Sequence, residues 1–343
     1  MSESVFRRRP IQLLLLGALL FIIASAVPPV VISQMRPLEA GVSQTYSTRP
    51  NDTLSLLAPL SGTAGVPEPH RGRPECAAGE YPQAPYSCFV VDTTSHRTTD
   101  LETRKGPDTE ELAVDARTQV TVDGDVLAEL DDEVILDARS AFPVPDPVSR
   151  MALSLPEPVG EVQSDPFVRE GLQYYFPFPT GRQSYPLFDP VSRRELLLDY
   201  VGETERNGID TYEFHHRFVG LEVPRDLLGD TSGPGTPRLS VDRTVWVEPE
   251  SGTIIDILVD THLYFAADDR ETGERAFSPS PDHTIFHTVS TWDEDTLARQ
   301  ADHAASDLST LRFLQVMAVG LKGAALIVVI AAVVLLLRER REP

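Results

Sequence analysis

The side chains best suited to chemistry are few in this sequence of 343 residues, which contains two cysteines and eight histidines. It has no Gly-x-Ser-x-Gly nucleophile elbow, no Walker phosphate loop, no His-Glu-x-x-His zinc motif and no Gly-x-Gly-x-x-Gly after a predicted strand. Each missing motif is the residue pattern that a particular catalytic or cofactor chemistry needs. The sequence therefore predicts a non-enzymatic protein with no catalytic residues and no cofactor.

Two histidine pairs come nearest to a metal site. His215 and His216 are adjacent in a predicted strand, so their side chains point to opposite faces and cannot bind one ion alone. His283 and His287 would share a helix face, but Pro281 and the neighbouring β-branched residues disfavour a helix there. Acidic clusters without the EF-hand spacing follow, at residues 131–133, 268–269 and 293–295, and are interpreted as solvated turns. No metal site is predicted.

The two cysteines, Cys76 and Cys88, flank a loop rich in proline, glycine and alanine. Both fall in a region predicted to lie outside the cell, where disulfides persist. Two free thiols or a metal pair are the alternatives, and a metal pair would need histidine or cysteine ligands that the intervening residues do not supply. A disulfide between the two is predicted.

An aromatic and proline-rich segment around residues 171–190 favours extended chain over helix. A later segment, residues 210–218, places its aromatic side chains on one face of a predicted strand. These rings would line a groove for an apolar ligand, or else form an ordinary β-sheet core. The candidate lining residues are Tyr174, Phe176, Phe178, Tyr185, Phe188, Tyr212, Phe214 and Phe218.

Short β-prone runs separated by turn residues position these side chains. Asp123-Gly124 and Asn207-Gly208 are strong hairpin signals, and residues 248–252 form a third turn between two predicted strands. The strand that follows has one apolar face and one mixed face, which is typical of a sheet covering a core or cavity on one side. The sequence predicts a mainly β (α+β) fold, a long bent antiparallel sheet or half-barrel.

An apolar segment lies at each end of the chain, residues 11–33 and residues 313–337, and each is long enough to cross a bilayer as a helix. The only charge in the apolar core of these segments is Lys322, and its ammonium can reach the headgroups. Arginines flank both segments on their outer sides, near the termini, which by the positive-inside rule keeps both termini cytoplasmic. We expect a plasma-membrane protein with its main domain outside the cytoplasm.

The predicted order is a cytoplasmic N-terminus (1–10), a transmembrane helix (11–33), an extracytoplasmic β-rich domain (34–312), a second transmembrane helix (313–337) and a cytoplasmic tail (338–343). Within the domain, residues 36–75 are rich in proline, glycine, serine and threonine and are interpreted as a stalk or irregular wrap. Ala24-Ser25-Ala26 also fits a signal-peptide cleavage site, so cleavage after Ala26 stays open as an alternative to an uncleaved anchor.

Charge narrows the choice of partners. The net charge is −22, and the basic residues at the two ends make the predicted exterior domain more acidic still. Such a surface repels nucleic-acid phosphates and anionic headgroups. No nucleic acid is expected to bind. Membrane lipid is the expected partner, and other envelope proteins are further candidates. The sequence does not determine the oligomeric state.

Three blocks of sequence resemble an actinobacterial family called porin PorA, formerly a domain of unknown function. They are residues 171–189, residues 202–214 and residues 246–252, and the resemblance extends over nearly the whole chain with its apolar segment at each end. The order of helix, β-rich domain and helix is also similar, in topology only, to the CD36 scavenger-receptor family, whose ectodomain encloses a lipid tunnel.

These observations suggest three functions for the exterior domain and its helices. The leading prediction is binding or transfer of an apolar envelope ligand such as a lipid, because the predicted strands are apolar on one face. The family resemblance implies the second, a porin-like pore formed when the end helices oligomerise, with Lys322 as the polar lining. The third is a structural or scaffold role in the envelope.

Overall fold

The computed structural model describes residues 8–34, 40–57, 65–155, 160–224 and 233–339. The chain divides into two compact units, residues 1–36 with 305–343, and residues 37–304. Most of the predicted cytoplasmic N-terminus and tail, at 1–7 and 340–343, lies outside the described residues, as do parts of the predicted stalk.

The helices and strands are as follows in chain order. They are α1 (Arg8–Gln34), β1 (Ser43–Ser47), β2 (Asn51–Leu56), β3 (Val90–Lys105), β4 (Glu111–Val122), β5 (Asp125–Asp137), β6 (Arg150–Leu155), β7 (Gly160–Gln163), β8 (Tyr185–Asp189), β9 (Arg194–Arg206), β10 (Ile209–Glu222), β11 (Thr236–Val247), β12 (Ile254–Ala266), α2 (Asp269–Arg275), β13 (Thr284–Thr291) and α3 (Glu294–Glu339).

All thirteen strands of the described residues belong to one antiparallel sheet, which confirms the predicted mainly β fold. The strand order is β7-β6-β5-β4-β3-β2-β13-β12-β11-β10-β9-β8, and β1 pairs with β3 beside this path. The first strands, β1–β3, therefore lie in the middle of the sheet. From there the chain runs strand by strand to one edge at β7, crosses to the other edge at β8 and returns strand by strand to β13, which pairs with β2. In the described residues β7 and β8 do not pair with each other, so the sheet is open and not a closed barrel.

Local turn chemistry explains the tight hairpins. Asn207 and Gly208 have φ of 54° and 76°, and Asp123 and Gly124 have φ of 51° and 94°. Positive φ at both central residues gives the turn the twist of its flanking strands, and asparagine, aspartate and glycine adopt it most readily. The hairpins predicted at these positions are confirmed.

One face of the sheet, called here the inward face, is recognised from a core that joins distant strands. Leu101 of β3 and Val134 of β5 belong to the same buried cluster as Phe214 of β10 and Val245 of β11. Strands so far apart in the order can share one core only if the sheet bends around it. Leu172, Tyr175 and Phe176, from the segment between β7 and β8, complete this cluster.

A second buried cluster joins residues 66–90 to β11, β12 and β13. Tyr86 is 6% exposed, donates a hydrogen bond from its hydroxyl to the carbonyl of Thr284 (2.8 Å) and meets the ring of Phe265 edge-on at 5.6 Å. Cys76 and Cys88 lie in the same cluster and are joined by a disulfide, with 5.6 Å between their Cα atoms. The predicted disulfide is confirmed.

The unit that contains the chain ends is a close pair of helices. The ideal Cβ position at Gly17 of α1 lies 2.7 Å from Cγ2 of Val329 in α3, so any larger residue would require the Val329 side chain to shift. In α3 the buried small residues Ala318, Ala325 and Ala332 recur every seven positions. Small residues at helix contacts let two backbones approach closely, as they do between membrane helices.

One helix in the described part of the chain, Glu294–Arg338, is long and apolar enough to cross a membrane. It includes the helix predicted outside the membrane from residue 293, which runs into the apolar segment without a break. The apolar part of α1 that the structure describes is shorter, Ile11–Val27. The C-terminal apolar helix is confirmed, whereas the first crossing stays a prediction.

The segment predicted as a stalk differs from expectation at residues 43–56. β1 and β2 form there, and β2 bridges the two halves of the sheet by pairing with β3 and β13. Threonine, serine and tyrosine in this stretch favour strands once neighbouring strands are available to pair with. The prediction missed these strands because both are short and their partners are distant in sequence.

Candidate functional site

The predicted lining residues divide into buried and partly exposed rings. Phe176, Tyr185 and Phe214 are buried in the first core cluster, with ring centroids 5.2–5.7 Å apart. Phe188 is also buried and stacks on Phe167 at 6.1 Å. These four rings therefore pack mainly against protein.

The other four predicted lining residues, Tyr174, Phe178, Tyr212 and Phe218, are partly exposed. Tyr212 meets the ring of Tyr200 edge-on at 5.4 Å, and Phe218 meets His216 at 5.3 Å. Each of these four side chains keeps accessible surface.

A buried ion pair that the sequence analysis did not identify fixes the segment between β7 and β8 against the sheet. Both guanidinium Nη atoms of Arg169 donate to Asp132 of β5, one of them at 2.9 Å, and the two side chains are 0% and 2% exposed. The Tyr174 hydroxyl donates to the same carboxylate. Burial, followed by the charge of Asp132, raises the pKa of Tyr174 well above its usual value.

The signal for this pair was present in the sequence. Asp132 occupies an inward position between Leu130 and Val134 on the same face of β5, where an apolar residue is the rule. Residues 131–133 were interpreted as a solvated turn, but they lie within β5. The correction follows from the register, which places Asp132 opposite Ala116 on β4.

Beyond the packed core, the inward face of β4, β5 and β6 continues as apolar side chains that are only partly buried. Val120, Leu130 and Leu155 point to the same face as buried residues of their strands but keep accessible surface. Leu153, beside Leu130 on β6, packs partly against the second core cluster. They lie toward the unpaired end of the sheet at β7. This end of the inward face is an apolar surface that the described chain does not fully cover.

Two arginines interrupt the apolar inward face between the two core clusters. Arg243 of β11 lies between the buried Val241 and Val245, directly across from His216 of β10. Arg97 lies four residues before the buried Leu101 on β3, so both side chains point to the inward face. These three residues, Arg97, Arg243 and His216, are called here the inward basic cluster.

The inward basic cluster is desolvated. Burial, and after it the charge of Arg243, lowers the pKa of Arg97 to about 10. Burial also lowers the pKa of Arg243, against the opposing effect of Asp189. Burial and then the charge of Arg243 lower the pKa of His216 to about 3, so its ring is neutral at neutral pH. Both arginines remain cationic at neutral pH.

The remaining histidines do not form a metal site in the described residues. His262 is fully buried, with its Nδ1 3.0 Å from the carbonyl of Ala276 and its Nε2 2.9 Å from the Thr284 hydroxyl. His287 lies 5.4 Å from it, ring to ring, and bonds to Asp260. Burial lowers the pKa of His262 to about 4, and every ring nitrogen named here has a protein partner.

The opposite, outward face of β3–β7 forms an open groove of about 770 Å³. It is mainly acidic, with Asp100, Glu102 and Glu133 among its lining residues, while Arg117 and Arg150 supply positive charge. Arg117 binds Asp131 at 2.7 Å across adjacent strands. The groove concentrates on one face part of the negative charge seen in the sequence.

Comparison with known proteins places this sequence in a family. A family model described as "Porin PorA" matches residues 10–334. A "Porin PorA" of Corynebacterium amycolatum is 26% identical over an alignment that covers 92% of this chain and 95% of that protein. A "Porin PorA" of Corynebacterium resistens is also 26% identical, with 96% of each chain covered. Because the family model spans nearly the whole chain, this protein belongs to the Porin PorA family.

Proposed function

We propose that this protein is a non-enzymatic cell-envelope protein whose sheet domain binds or transfers the apolar part of an envelope ligand, such as a lipid. Family membership supports the envelope location, and the apolar helix within α3 supports membrane anchoring. The arginines that flank the apolar segments at both chain ends support a topology with both termini in the cytoplasm. The sheet domain then lies outside, where envelope lipids are available.

The observation that carries this proposal is the partly exposed apolar surface on the inward face of β4–β6. Val120, Leu130 and Leu155 continue the face that forms the packed core, yet they keep accessible surface. Apolar surface that the chain leaves uncovered gains free energy when a ligand covers it, by roughly 25 cal/mol per Å² removed from water. The open end of the sheet at β7 and β8 gives such a ligand a route to this surface.

A charge at Leu130 tests this proposal. The full-length protein, purified in mild detergent, is expected to carry lipid that native mass spectrometry detects. Leu130→Asp is expected to reduce the bound lipid by about tenfold or more, because desolvating a carboxylate against a lipid chain is costly.

Leu197→Asp is the matched control. Leu197 is 51% exposed, and its neighbours Leu196 and Leu198 are buried, so it faces away from the core. This variant is expected to retain the lipid of the wild type. A wild type that carries no lipid and takes none up from added vesicles would remove the proposal.

The family name favours a second candidate function, pore formation, in which the end helices oligomerise around an aqueous path. Lys322 is exposed on the apolar part of α3, which suits a residue that lines a pore between copies. Rings of charge within a pore set its ion selectivity. The packed clusters inside the sheet make that domain a poor channel, so the helices are the better candidate.

Planar-bilayer recordings of the full-length protein test this second function. They are expected to show reproducible unit conductance steps with anion preference, and Lys322→Glu is expected to shift the reversal potential toward cations. Lys105→Glu, an exposed change at the end of β3, serves as the control and is expected to leave selectivity unchanged. Silent bilayers in repeated reconstitutions would exclude the pore. A scaffold role would then remain beside ligand binding.

A further inference from the structure

The inward basic cluster carries more positive charge than the surrounding protein neutralises. Nη2 of Arg243 lies 3.4 Å from Oδ2 of Asp189, a long contact. Oδ1 of that carboxylate is committed to Ser192, which donates from its backbone N–H and its hydroxyl at 2.8 and 2.9 Å. In the described part of the chain, Arg97 has no carboxylate within ion-pair distance. One guanidinium is therefore left without an anion.

The strand register places the two guanidinium groups on adjacent rows of the inward face. Arg243 pairs with Val259 and Val259 with Ser290. When the β13–β2 register is extended by two residues, Ser290 lies opposite Asn51, and Asn51 pairs with Ser95 of β3. Arg97 is therefore the next inward-facing residue of β3 beside this row. The sheet bends between these strands, and the charge of Arg243 reaches Arg97 strongly enough to lower its pKa. Both cations therefore lie on the inward face of the bent sheet, where the charge of one acts on the other.

Both arginine side chains keep some accessible surface. Arg97 is desolvated by burial but keeps a partly exposed side chain, and the Arg243 side chain is 16% exposed. Each guanidinium is therefore largely desolvated but keeps surface that a ligand could contact. Arg97 also lies directly across from Val120, one of the partly exposed apolar residues of β4. The cationic and apolar surfaces are thus continuous.

Buried polar atoms without hydrogen-bond partners lie on the same inward face, near the basic cluster. The hydroxyl of Thr53 bonds to those of Ser95 and Thr288 at 2.6 and 3.2 Å. The Ser55 and Thr93 hydroxyls, close by on β2 and β3, have no hydrogen-bond partner. His216 is 4% exposed and neither ring nitrogen has a hydrogen-bond partner of good geometry, although weak backbone hydrogen bonding from Leu197 and Leu196 acts to raise its pKa. Buried polar groups are rarely left unbonded, so these atoms are available to bond to a polar group placed beside them.

We propose that the inward basic cluster, Arg97 with Arg243 and His216, binds the anionic head of an amphiphilic ligand whose apolar chain covers Val120, Leu130 and Leu155. Guanidinium groups bind phosphate, sulfate and carboxylate oxygens with paired hydrogen bonds, and the nearby hydroxyls add donors. An anion between the two arginines removes their mutual repulsion and supplies the missing countercharge. This inference rests on the proposed function, which it narrows from an apolar ligand to an anionic amphiphile.

Three probes separate the head from the chain. Full-length protein held in an amphipathic polymer is titrated calorimetrically with dodecyl phosphate, with dodecanol and with inorganic phosphate. Arg97→Gln and Arg243→Gln are each expected to weaken dodecyl phosphate binding by about tenfold or more, since a charge-assisted hydrogen bond is lost. Dodecanol affinity is expected to be the same in all variants.

Arg104→Gln is the matched control, because Arg104 is on the same strand as Arg97 but is exposed and paired with Asp115. It is expected to bind dodecyl phosphate as the wild type does. Thermal melting adds an independent readout. The Arg97→Gln variant is expected to melt no lower than the wild type, because the substitution removes an unpaired buried charge. A large fall in its Tm would mark Arg97 as a structural residue and overturn the inference.

The binding outcomes separate this inference from the proposed function. If the wild type binds dodecyl phosphate and both glutamine variants bind it equally well, the basic cluster is not the head site, although ligand binding stands. If phosphate alone binds and needs Arg97, while neither amphiphile binds, the site takes a free anion and the proposed lipid function falls. If no probe binds, both fall.

Discussion

Replacing Asp132 by alanine is expected to lower the free energy of unfolding by about 3–5 kcal/mol, the usual cost of removing one partner of a buried ion pair. The substitution leaves the guanidinium of Arg169, which is 0% exposed, without its carboxylate. It also leaves the Tyr174 hydroxyl without its acceptor. For a domain of this size such a loss corresponds to a fall in Tm on the order of 10 °C.

Asp131→Ala is the control for that experiment. Asp131 is the next residue on β5 and pairs with Arg117, but its side chain is 43% exposed, so its loss is expected to cost below about 1 kcal/mol. Replacing both partners, Asp132→Leu with Arg169→Met, is expected to recover much of the stability because no unpaired charge remains. Equal melting of Asp131→Ala and Asp132→Ala would contradict the assigned role of the pair.

Removing the disulfide is expected to have the second large effect. Cys76 and Cys88 are separated by 12 positions, and closing a loop of that length stabilises a fold by about 3 kcal/mol through the unfolded chain. The double substitution Cys76→Ser with Cys88→Ser is therefore expected to lower the Tm by roughly 10 °C. It also loosens the segment that packs Tyr86 against β12 and β13.

The comparison is made by thermal melting with and without reductant. The wild type is expected to lose stability on reduction and to approach the serine variant, whereas the serine variant does not respond to reductant. Equal melting of oxidised wild type and serine variant would show that the bridge contributes little, and that packing alone holds residues 66–90 in place.

The sequence was informative wherever structure is local. The hairpins at Asp123-Gly124 and Asn207-Gly208 follow from residues that adopt positive φ, and the strands beside them follow from alternation. The long helix after residue 293 was predicted from its own composition. The disulfide followed from composition and compartment.

Features that depend on distant pairing were missed. The bridge from β2 to β13 joins residues over two hundred positions apart, and no periodicity in either strand indicates it. Arg169 and Asp132 meet across 37 positions for the same reason. Arg97 gave a weaker signal, a charge at an inward position of β3, but that position became visible only when the register was known.

The burial of the aromatic candidates shows the same limit. Periodicity placed Tyr212, Phe214 and Phe218 on one face, and the structure keeps that face together. Periodicity alone could not separate rings that fill the core, such as Phe214, from rings that keep exposed surface, such as Phe218. That difference depends on where the segment between β7 and β8 crosses the bent sheet, which is a tertiary property.

Photo-crosslinking gives the most direct test of ligand binding in the bent sheet. The full-length protein is irradiated with dodecyl phosphate that carries a diazirine on its chain, and the labelled peptides are mapped by mass spectrometry. The account predicts labels on peptides that contain Val120, Leu130 and Leu155, and their loss in the Arg97→Gln variant. Labels confined to α1 and the apolar part of α3, with none in β4–β6, would contradict it.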